Sequence, residues 1–328
     1  MKVTILYDDV KGRPNATPDE LGVLEAVEAV EEALEALAHE AIRLPAGEDV
    51  ESWRPRLASN GTQVVFNLCE GLGGRSEGEV LAARIVEESG LPMTGSPSAT
   101  LARSRQKDRV NALLSEHGLP VPVWSLWSGM EGARKGSLDL PARWTSFPAI
   151  VKPAEEDGSV GIDQGAVVSD PLSLARRLEE MRDRGPLLVQ AFIGTREINA
   201  AIIGREVLPL SEITFQGLPE GHHPIVAYEA KWVAGSLEDM GTRPVCPAPV
   251  PTALASRIRL LALKAWRAVG GRGYGRVDFR LSPPDGLWIL DVNPNPDVSP
   301  SAGLARAARV EGMSYRELVG RVLQEALT

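Results

Sequence analysis

The stretch GYGRVDFRLSPPDGLWILDVNPNP, residues 273–296, predicts two strands joined by a turn, and each strand carries an acid. The runs on both sides are rich in the β-branched and aromatic residues that strands favour, and between them lie four turn formers, Pro283, Pro284, Asp285 and Gly286. A register symmetric about the turn sets three apolar pairs on one face: Val277 with Val292, Phe279 with Leu290, and Leu281 with Trp288. We therefore expect a β-hairpin with one continuous apolar face.

The opposite face of this hairpin is polar, because side chains alternate along a strand. It places Arg276 opposite Asn293 and Asp278 opposite Asp291. Two opposed carboxylates, with Cβ atoms ~5 Å apart, repel each other. A hard divalent ion such as Mg²⁺ would relieve the repulsion, since it prefers carboxylate and amide oxygens, and Asp278, Asp291 and Asn293 offer them. The alternative from the hairpin alone is a solvent-facing surface on which Arg276 neutralises one acid.

Composition limits the classes of protein that the chain can represent. Its 328 residues suffice for two or three domains, and 43% hydrophobic with 24% charged residues is ordinary for a globular protein. The net charge of −9 favours neither nucleic acid nor an anionic membrane surface as a partner. No run approaches the ~18 apolar residues of a membrane span, and the start MKVTILYDDV lacks the features of a signal peptide. The two cysteines, Cys69 and Cys246, predict neither a disulfide framework nor a zinc site, so we expect a cytoplasmic protein.

Strands and helices alternate in the N-terminal part of the chain. The strands KVTILYDD, AIRL, QVVFNL and LPMTG are separated by helical segments, which predicts a doubly wound parallel sheet. Ligands of such sheets lie beyond the carboxyl ends of the strands, so Asn67, Glu70 and the loop EGLGGRS (70–76) are expected at a ligand edge. The alternative for residues 70–74 is a plain turn. Ser76 stands where a dinucleotide fingerprint needs its third glycine, which excludes that cofactor site.

Two later segments have the composition of loops that cover a site. Residues 147–162, FPAIVKPAEEDGSVGI, predict a β-hairpin flap whose small residues let backbone N–H groups approach phosphates, or else an ordinary turn. No GxxxxGK[ST] motif occurs, which excludes a P-loop. Residues 216–251 are a long irregular stretch, which is typical of either a lid or a disordered segment.

Several segments occur in an order that resembles a known family. They are VVFNLCEG, GLPMTGSPSATLARSRQK, FPAIVKP followed by GSVG, FIGTREIN, YEAKW, GYGRVDFRL and WILDVNPNP. Together they resemble ATP-grasp carboxylate–amine ligases of the D-alanine–D-alanine ligase type over essentially the whole chain. The resemblance implies an α/β (overall α+β) ATP-grasp fold in which a doubly wound N-terminal domain (1–102) precedes two α+β domains (103–187 and 188–328) that clamp ATP.

The resemblance also implies a reaction. ATP activates a carboxylate, expected to be that of an amino acid, as an acyl phosphate, and an amine then attacks with release of ADP and phosphate. Two Mg²⁺ ions are expected, for which Mn²⁺ can substitute, the partners are small amino acids or amines, and similar ligases are commonly homodimers. The alternatives are a true D-alanine–D-alanine ligase of peptidoglycan synthesis, a non-catalytic nucleotide-binding relative, and a structural or partner-binding protein. The presence of Arg276, Lys231 and the metal set disfavours the last two.

Several functional positions of the family can be carried over to residues of this sequence. The residues expected to contact ATP are Lys107, Lys152, Gly158, Ser159, Gln190, Glu197 and Lys231. The expected metal ligands are Asp278, Asp291 and Asn293, and the expected catalytic residues are Arg276 and Lys231. The residues expected to contact substrate are Glu70, Arg276, Asp297 and Ser301. Gln190 stands where the family has an acid near the adenine amino group, and its carbonyl oxygen can accept the same hydrogen bond.

Other positions depart from the D-alanine enzymes of the family. Residues 8–22, DDVKGRPNATPDELG, do not match the motif whose acid anchors the donor's amino group. Gly158 stands in place of a flap serine, Trp232 in place of a lid tyrosine, and Asp297 in place of a glycine. We therefore expect the reaction class to be kept and D-alanine to be a poor donor. Asp297 is expected either to bind an ammonium or guanidinium group of a substrate or to cap the helix that follows.

Overall fold

Three β-sheets, each covered by helices, make up the fold of the computed structural model, which describes residues 1–13, 15–129, 140–284 and 286–328. No helix in these ranges is both long and apolar enough to cross a membrane. The sheets follow one another along the chain. The candidate site lies where the three sheets meet.

The N-terminal sheet is parallel, with strand order β2-β1-β3. Its elements are β1 (Lys2–Asp8), α1 (Pro18–Leu21), α2 (Val23–Ala36), β2 (Glu40–Ala46), α3 (Val50–Ser59), β3 (Val64–Asn67), α4 (Gly78–Glu88) and α5 (Ser98–Ser104). Ile5 packs in one apolar cluster with α2, and Leu6 packs in another with α3 and α4, because helices cover both faces. The predicted doubly wound sheet is confirmed. The predicted fourth strand, LPMTG, makes only a single bridge from Met93 to Val65.

The central sheet is antiparallel, with strand order β4-β7-β5-β6. Its elements are α6 (Lys107–Glu116), β4 (Trp124–Trp127), α7 (Leu140–Arg143), β5 (Ala149–Pro153), β6 (Val167–Val168), α8 (Pro171–Glu180) and β7 (Leu187–Ala191). β5 and β6 pair antiparallel on either side of the glycine-bearing loop, so a hairpin forms, but its second strand lies beyond the predicted residues 147–162. The domain boundaries at residues 102 and 187 stay a prediction, and the second falls within β7, whose residues all pair with β5.

The C-terminal sheet is antiparallel and runs in the order β11-β10-β8-β12-β13, with β9 paired to β8. Its elements are β8 (Arg196–Ile203), β9 (Glu206–Val207), β10 (Ser211–Thr214), α9 (Tyr228–Trp232), α10 (Leu237–Gly241), β11 (Arg243–Val245), α11 (Thr252–Val269), β12 (Tyr274–Ser282), β13 (Gly286–Asn293), α12 (Gly303–Val310) and α13 (Tyr315–Glu325). Leu318 and Val322 of α13 are buried in the same cluster as α2. The end of the chain thus completes the core of the N-terminal sheet and ties it to the hairpin that precedes α12.

The hairpin register is as predicted where the polar residues lie. β12 and β13 pair Arg276 with Asn293, Val277 with Val292, and Asp278 with Asp291. Val277 and Val292 are buried in the core. The alternation of the two strands therefore leaves the two acids opposed on the other face.

Nearer the turn, the predicted register is wrong. A β-bulge follows Asp278, and the pairs beyond it are Phe279 with Ile289, Leu281 with Leu287, and Ser282 with Gly286. Ile289 is therefore fully buried, whereas Leu290 is only half-buried. The connection between the strands spans residues 283–285 instead of being symmetric about one bond, and Asp285 lies outside the described residues. The bulge absorbs the resulting shift and keeps both the acid pair and the apolar face in place.

Candidate active site

One face of the C-terminal sheet collects five of the predicted site residues. β12 lies between β8 and β13, and Val277 and Phe279 point into the core on one side. Because side chains alternate, Arg276, Asp278 and Arg280 lie on the other side. Strand pairing adds four residues to that side, Glu197 and Asn199 from β8 and Asp291 and Asn293 from β13. The sheet therefore brings the predicted ribose residue, the predicted metal ligands and Arg276 onto one surface.

Arg276 and Asp278 form a bidentate ion pair on this surface. Arg276 donates from Nε to Asp278 Oδ1 at 2.7 Å and from Nη2 to Oδ2 at 2.9 Å. Asn199 Nδ2 donates to the same Oδ1 at 2.8 Å. Arg276 therefore neutralises Asp278, one of the two opposed acids. The alternative interpretation of the hairpin expected this contact on a solvent-facing surface, whereas here the surface is enclosed by protein.

Asp291 is the acid that this ion pair does not neutralise. Burial raises the pKa of its carboxyl, and the nearby Asp157 and Asp278 carboxylates raise it further, against the opposing effect of two lysines. These lysines are Lys107 and Lys152. Burial is the largest cause and the net direction is upward, so one more cation beside Asp291 would stabilise its charged form.

The three lysines predicted to contact ATP approach these acids from three different elements. Lys107, the first residue of α6, donates to Glu156 O at 2.6 Å and to Asp157 Oδ1 at 2.7 Å. Lys152 at the end of β5 and Lys231 in α9 make no hydrogen bond or ion pair within the described residues. Desolvation lowers the pKa of both, and for Lys231 the neighbouring Arg276 guanidinium lowers it further. Two ammonium groups with lowered pKa values and no anionic partner suit an anion.

A flap and a lid close over this surface. We call residues 154–163 the flap and residues 215–247 the lid. Trp232 Nε1 of the lid donates to Gly158 O of the flap at 2.9 Å, and Ser159 Oγ donates to Val226 O at 2.9 Å. Gly158 and Ser159 both have a φ of +65°, which a glycine adopts freely and a serine rarely. The lid is not one irregular stretch as expected, since it contains α9, α10 and β11.

A cavity of about 1310 Å³ lies between the N-terminal loops, the flap, the lid and the hairpin. The predicted residues that line it are Glu70, Gly158, Lys231, Arg276, Asn293, Asp297 and Ser301. The predicted residues that do not line it are Lys107, Lys152, Ser159, Gln190, Glu197, Asp278 and Asp291. Asp157 lines the cavity and also interacts electrostatically with three residues that do not: Lys107, Lys152 and Asp291. The residues that line the cavity and those that do not are therefore adjacent at Asp157.

The residues predicted to contact adenine and ribose occupy strands of two adjacent sheets. Gln190 of β7 pairs with Ile150 of β5, which places it on the same face as Lys152. Its Nε2 is buried and has no hydrogen-bond partner in the described ranges. Glu197 accepts from Arg280 Nη2 at 3.1 Å. The Arg280 guanidinium also lies over two aromatic rings, 5.5 Å from the centroid of Phe192 and 5.4 Å from that of Phe215.

Asp297 lines the cavity, but both of its carboxylate oxygens are engaged. Ser299 donates from its backbone N to Oδ1 at 2.7 Å and from Oγ to Oδ2 at 2.9 Å. Ser301 Oγ donates to Glu25 Oε1 of α2 at 3.2 Å. α12 begins after Ala302, which makes no side-chain cap. Asp297 thus stabilises the turn before α12 and does not cap the helix itself.

Two cavity residues in the N-terminal part were missed by the sequence reasoning. Asp8 and Glu20 both line the cavity, so residues 8–22 bring acids to it although they do not match the family's motif. Arg13 joins them, donating to Glu20 Oε1 at 2.9 Å and to Asp8 Oδ2 at 3.2 Å. A motif search could not find this group, because the acids lie at the end of β1 and in the short helix α1 with an irregular segment between them.

Glu79 is a further missed residue. It is 8% exposed and lines the cavity. Burial raises the pKa of its carboxyl to about 8, and the Asp157 and Glu70 carboxylates act in the same direction. The only signal in the sequence was its place in the first turn of the helix after the glycine-rich loop.

The hairpin acids have the chemistry of a site for a hard divalent ion. Among the described residues, no group of three or more His, Cys, Asp or Glu side chains could hold a metal, and the predicted set contains two carboxylates and an amide. Asn293 Oδ1 accepts from Asn295 N at 2.8 Å, which fixes its amide. The raised pKa of Asp291 and the oxygen-only donors of the set both fit Mg²⁺.

Similarity to known proteins bears directly on this site. The family model described as D-ala D-ala ligase C-terminus matches residues 113–324. A D-alanine–D-alanine ligase of Sphingopyxis alaskensis is 33% identical over 309 residues, which cover 91% of this chain and 91% of the relative. The chain belongs to the D-alanine–D-alanine ligase family. Another relative, the D-alanine–D-alanine ligase of a Synechococcus species, is 30% identical over 308 residues, or 91% of this chain and 86% of its own.

The fold of this D-alanine–D-alanine ligase family member also matches a solved structure. The crystal structure of the Bacillus anthracis D-alanine–D-alanine ligase complexed with ATP has a TM-score of 0.77 and 18% identity, and covers all of this chain and 97% of the other. The predicted ATP-grasp fold is confirmed. As a family member, the protein is an ATP-dependent carboxylate–amine ligase. The roles predicted for individual residues and the homodimer stay predictions.

Proposed function

We propose that the protein joins the carboxylate of an amino acid to an amine, through an acyl phosphate formed with ATP, in the cavity beneath the flap and lid. One observation supports this most directly. Four cations from four different elements converge beside the flap and hairpin acids: Lys107, Lys152, Lys231 and Arg276. Lys152 and Lys231 have lowered pKa values and no anionic partner within hydrogen-bond distance in the described residues. A polyphosphate would supply that partner.

The nucleotide would lie along the surface between the central and C-terminal sheets. Lys107 and Lys152 hold its phosphates, Glu197 accepts from the ribose hydroxyls and Gln190 contacts the adenine edge. Lys231 reaches the terminal phosphate from the lid. Ser159 and Gly158 offer backbone N–H groups from the flap, where their left-handed backbone turns the chain tightly.

Mg²⁺ is the metal expected with this nucleotide, and Mn²⁺ can replace it. Asp278, Asp291 and Asn293 would hold it. When bound, the ion supplies positive charge that neutralises the phosphate oxygens during transfer.

Arg276 can hold the carboxylate of the donor while it stays paired with Asp278. Its Nε and Nη2 engage Asp278, and the guanidinium retains further N–H groups at Nη1 and Nη2. Arg276 lines the cavity, so these groups can donate to a substrate carboxylate or to the oxyanion formed when the amine attacks. A fixed donor aimed at developing charge lowers the barrier without reorganisation.

The charge of the cavity favours substrates that carry amines. Acidic lining side chains outnumber basic ones by twelve to six. A wall with this excess attracts ammonium groups and disfavours a second free carboxylate. Glu70 and Ser301 both line the cavity on the substrate side, and Ser301 can donate to an acceptor carboxylate.

D-alanine remains a second candidate for both substrates. The relatives above are named for that activity, and Glu20 provides an acid in the part of the cavity formed by the first helices. Trp232 and Gly158 disfavour D-alanine as a substrate, since they replace the tyrosine and serine of the D-alanine enzymes. Which amino acid fits is thus decided by assay.

A two-stage screen tests the proposal. The protein is first incubated with ATP, Mg²⁺, hydroxylamine and each amino acid separately, and hydroxamate formation is scored, since hydroxylamine traps an acyl phosphate. Pairs that include each active donor are then scored by phosphate release and product mass. Arg276→Ala serves as the matched inactive variant. Absence of hydroxamate and of amino-acid-dependent ADP formation with every donor would contradict the proposal, and highest turnover with two D-alanines would select the second candidate.

A further inference from the structure

An amine that attacks an acyl phosphate must first lose a proton. An α-amino group is largely an ammonium ion at pH 7, and the ammonium nitrogen has no lone pair to offer. The cavity must therefore hold a group that accepts this proton, at a point the substrate amine can reach. This requirement rests on the proposed function.

Glu79 occupies the cavity wall that faces the hairpin. It lines the same cavity as Arg276 and Asn293. Gly78 precedes it, and a Cβ at that position would lie 2.3 Å from Leu72 N. The missing side chain allows α4 to begin directly against the loop at residues 70–76, which places the first turn of α4, and Glu79 with it, at the cavity.

A fixed amide positions the Glu79 carboxyl. Asn295 lies close enough to lower its pKa, and Asn295 is itself held by three contacts. Its backbone N donates to Asn293 Oδ1 at 2.8 Å, its Nδ2 donates to Cys69 O at 2.9 Å, and its Oδ1 accepts from Tyr274 OH at 3.0 Å. The Glu79 carboxyl is therefore held next to the end of β13. The carboxyl group of the donor substrate is expected to react at this place.

The charges around Glu79 come from three segments. Burial raises its pKa, Asp157 of the flap and Glu70 of the loop after β3 raise it further, and Arg105 after α5 lowers it. Asn295 after β13 also lowers it and carries no charge. The resulting pKa of about 8 is close to the pH at which a cytoplasmic amine must be deprotonated.

Other acids of the cavity are already engaged by donors. Asp8 and Glu20 share Arg13, and Asp157 pairs with Lys107 at 2.7 Å. Asp297 accepts twice from Ser299. Within the described residues, Glu79 forms no ion pair, so its carboxyl can exchange a proton without breaking one.

We propose that Glu79 is the general base that takes the proton from the ammonium group of the acceptor. The ionised carboxylate accepts the proton, and the freed nitrogen lone pair forms a bond to the acyl carbon. The C–O bond to phosphate then breaks, inorganic phosphate leaves with that electron pair, and the amide nitrogen loses its surplus proton to solvent. Glu79 returns its own proton to water when the product leaves.

Two acceptors of different basicity test this role. Hydroxylamine is already unprotonated at neutral pH and needs no base, whereas an amino-acid acceptor does. The probes are hydroxylamine and the amino-acid acceptor selected by the screen above, each with the same donor, ATP and Mg²⁺. Wild type, Glu79→Gln and the control Glu88→Gln are compared; Glu88 lies on the same helix, half exposed and away from the cavity.

With Glu79→Gln, hydroxamate formation should stay within about twofold of wild type, while ligation to the amino acid should fall on the order of 10² or more at pH 7. In the wild type, kcat/KM for the amino-acid acceptor should rise with pH and level off near the pKa of about 8. The variant should be slower at pH 7 and keep rising above pH 8, because its acceptor amine loses the proton only in solution. Glu79→Asp, which keeps a carboxyl, should recover part of the rate at pH 7. Glu88→Gln should match wild type in both reactions.

Other results overturn the inference. Equal loss of both reactions in Glu79→Gln, with native circular dichroism, would assign Glu79 to donor or ATP binding, and retention of both would leave it without a role in proton transfer. If Glu79→Gln fails to fold, Glu79→Asp decides: an unchanged ratio of the two reactions and an unchanged pH profile would exclude the base. A wild type that forms no hydroxamate from any donor would instead refute the proposed function, and this inference with it.

Discussion

The indole N–H of Trp232 in the lid donates a hydrogen bond to the carbonyl oxygen of Gly158 in the flap, at 2.9 Å. These are two of the positions at which the chain departs from the D-alanine enzymes that it resembles. Each substitution alone removes a hydroxyl group, that of the flap serine or that of the lid tyrosine. Together the two residues form a hydrogen bond from a side-chain donor to a backbone acceptor, so they join the lid to the flap.

Replacement of Trp232 by Phe should weaken the closed lid. The change keeps the aromatic ring and removes only the N–H donor, whose net contribution is about 1 kcal/mol or roughly fivefold in an equilibrium. We expect the KM for ATP to rise about fivefold and trypsin to cleave the lid faster in the presence of ATP and Mg²⁺. Trp288→Phe is the control, because it removes an indole contact to Ser282 at the hairpin turn. Identical kinetics of the two variants would contradict the role of the lid contact.

The pairing of Asp278 with Asp291 in the hairpin could be predicted from the sequence, but the strand register next to the turn could not. Arg276, Asp278 and their partners could be placed because alternation along two strands needs only a local pattern. The β-bulge after Asp278 could not be predicted, because it depends on how the connection between the strands fits the core beneath it. Glu79 shows a further limit. Its raised pKa comes from burial and from charges on distant segments, which no local pattern contains.

Removal of the Asp157 charge should strengthen ATP binding. Lys107 Nζ now donates to Asp157 Oδ1 at 2.7 Å, so a phosphate must displace or share that carboxylate. Asp157→Asn removes the competing charge and its repulsion of the triphosphate. We expect the dissociation constant of ATP to fall on the order of threefold to tenfold, measured by titration calorimetry with a non-hydrolysable analogue. Glu155→Gln, on the exposed side of the flap, is the control, and weaker binding by Asp157→Asn would show that the carboxylate supports the nucleotide site.

Neutralisation of Asp291 should abolish metal-dependent turnover and preserve the fold. Burial and neighbouring acids already disfavour the charged carboxyl, so Asp291→Asn removes an unfavourable charge from the ligand-free protein. We expect turnover to fall at least about 100-fold at every Mg²⁺ concentration, with a thermal unfolding temperature equal to or above that of wild type. The exposed Glu311→Gln is a matched neutralisation far from the hairpin. Near-normal turnover of Asp291→Asn would remove Asp291 from the metal set.

Two substitutions can establish whether Asp297 stabilises the turn before α12 or binds an ammonium group. Asn keeps an oxygen for the Ser299 backbone N–H and loses the charge, whereas Ala loses both. If Asp297 stabilises the turn before α12, Asp297→Ala should lower the free energy of unfolding by about 1 kcal/mol, Asp297→Asn should do so by less, and both should leave KM values unchanged. Chemical denaturation and steady-state kinetics supply the two readouts. A rise of tenfold or more in the KM of one amine substrate in both variants would instead identify Asp297 as an ammonium site.

The stability of the protein should depend on pH through Glu79. Its pKa is about 8 in the folded state against an ordinary value of 4.5, so between these limits the folded protein holds a proton that the unfolded chain has released. The folded state binds more protons in this window, and its stability therefore falls as the pH rises from about 5 towards 8. Glu79→Gln cannot ionise and should lack this contribution. Thermal unfolding at intervals from pH 5.5 to 8.5 should show a wild-type melting temperature that falls progressively relative to the variant, and two curves that run parallel across the range would show that Glu79 is charged in the folded protein at neutral pH.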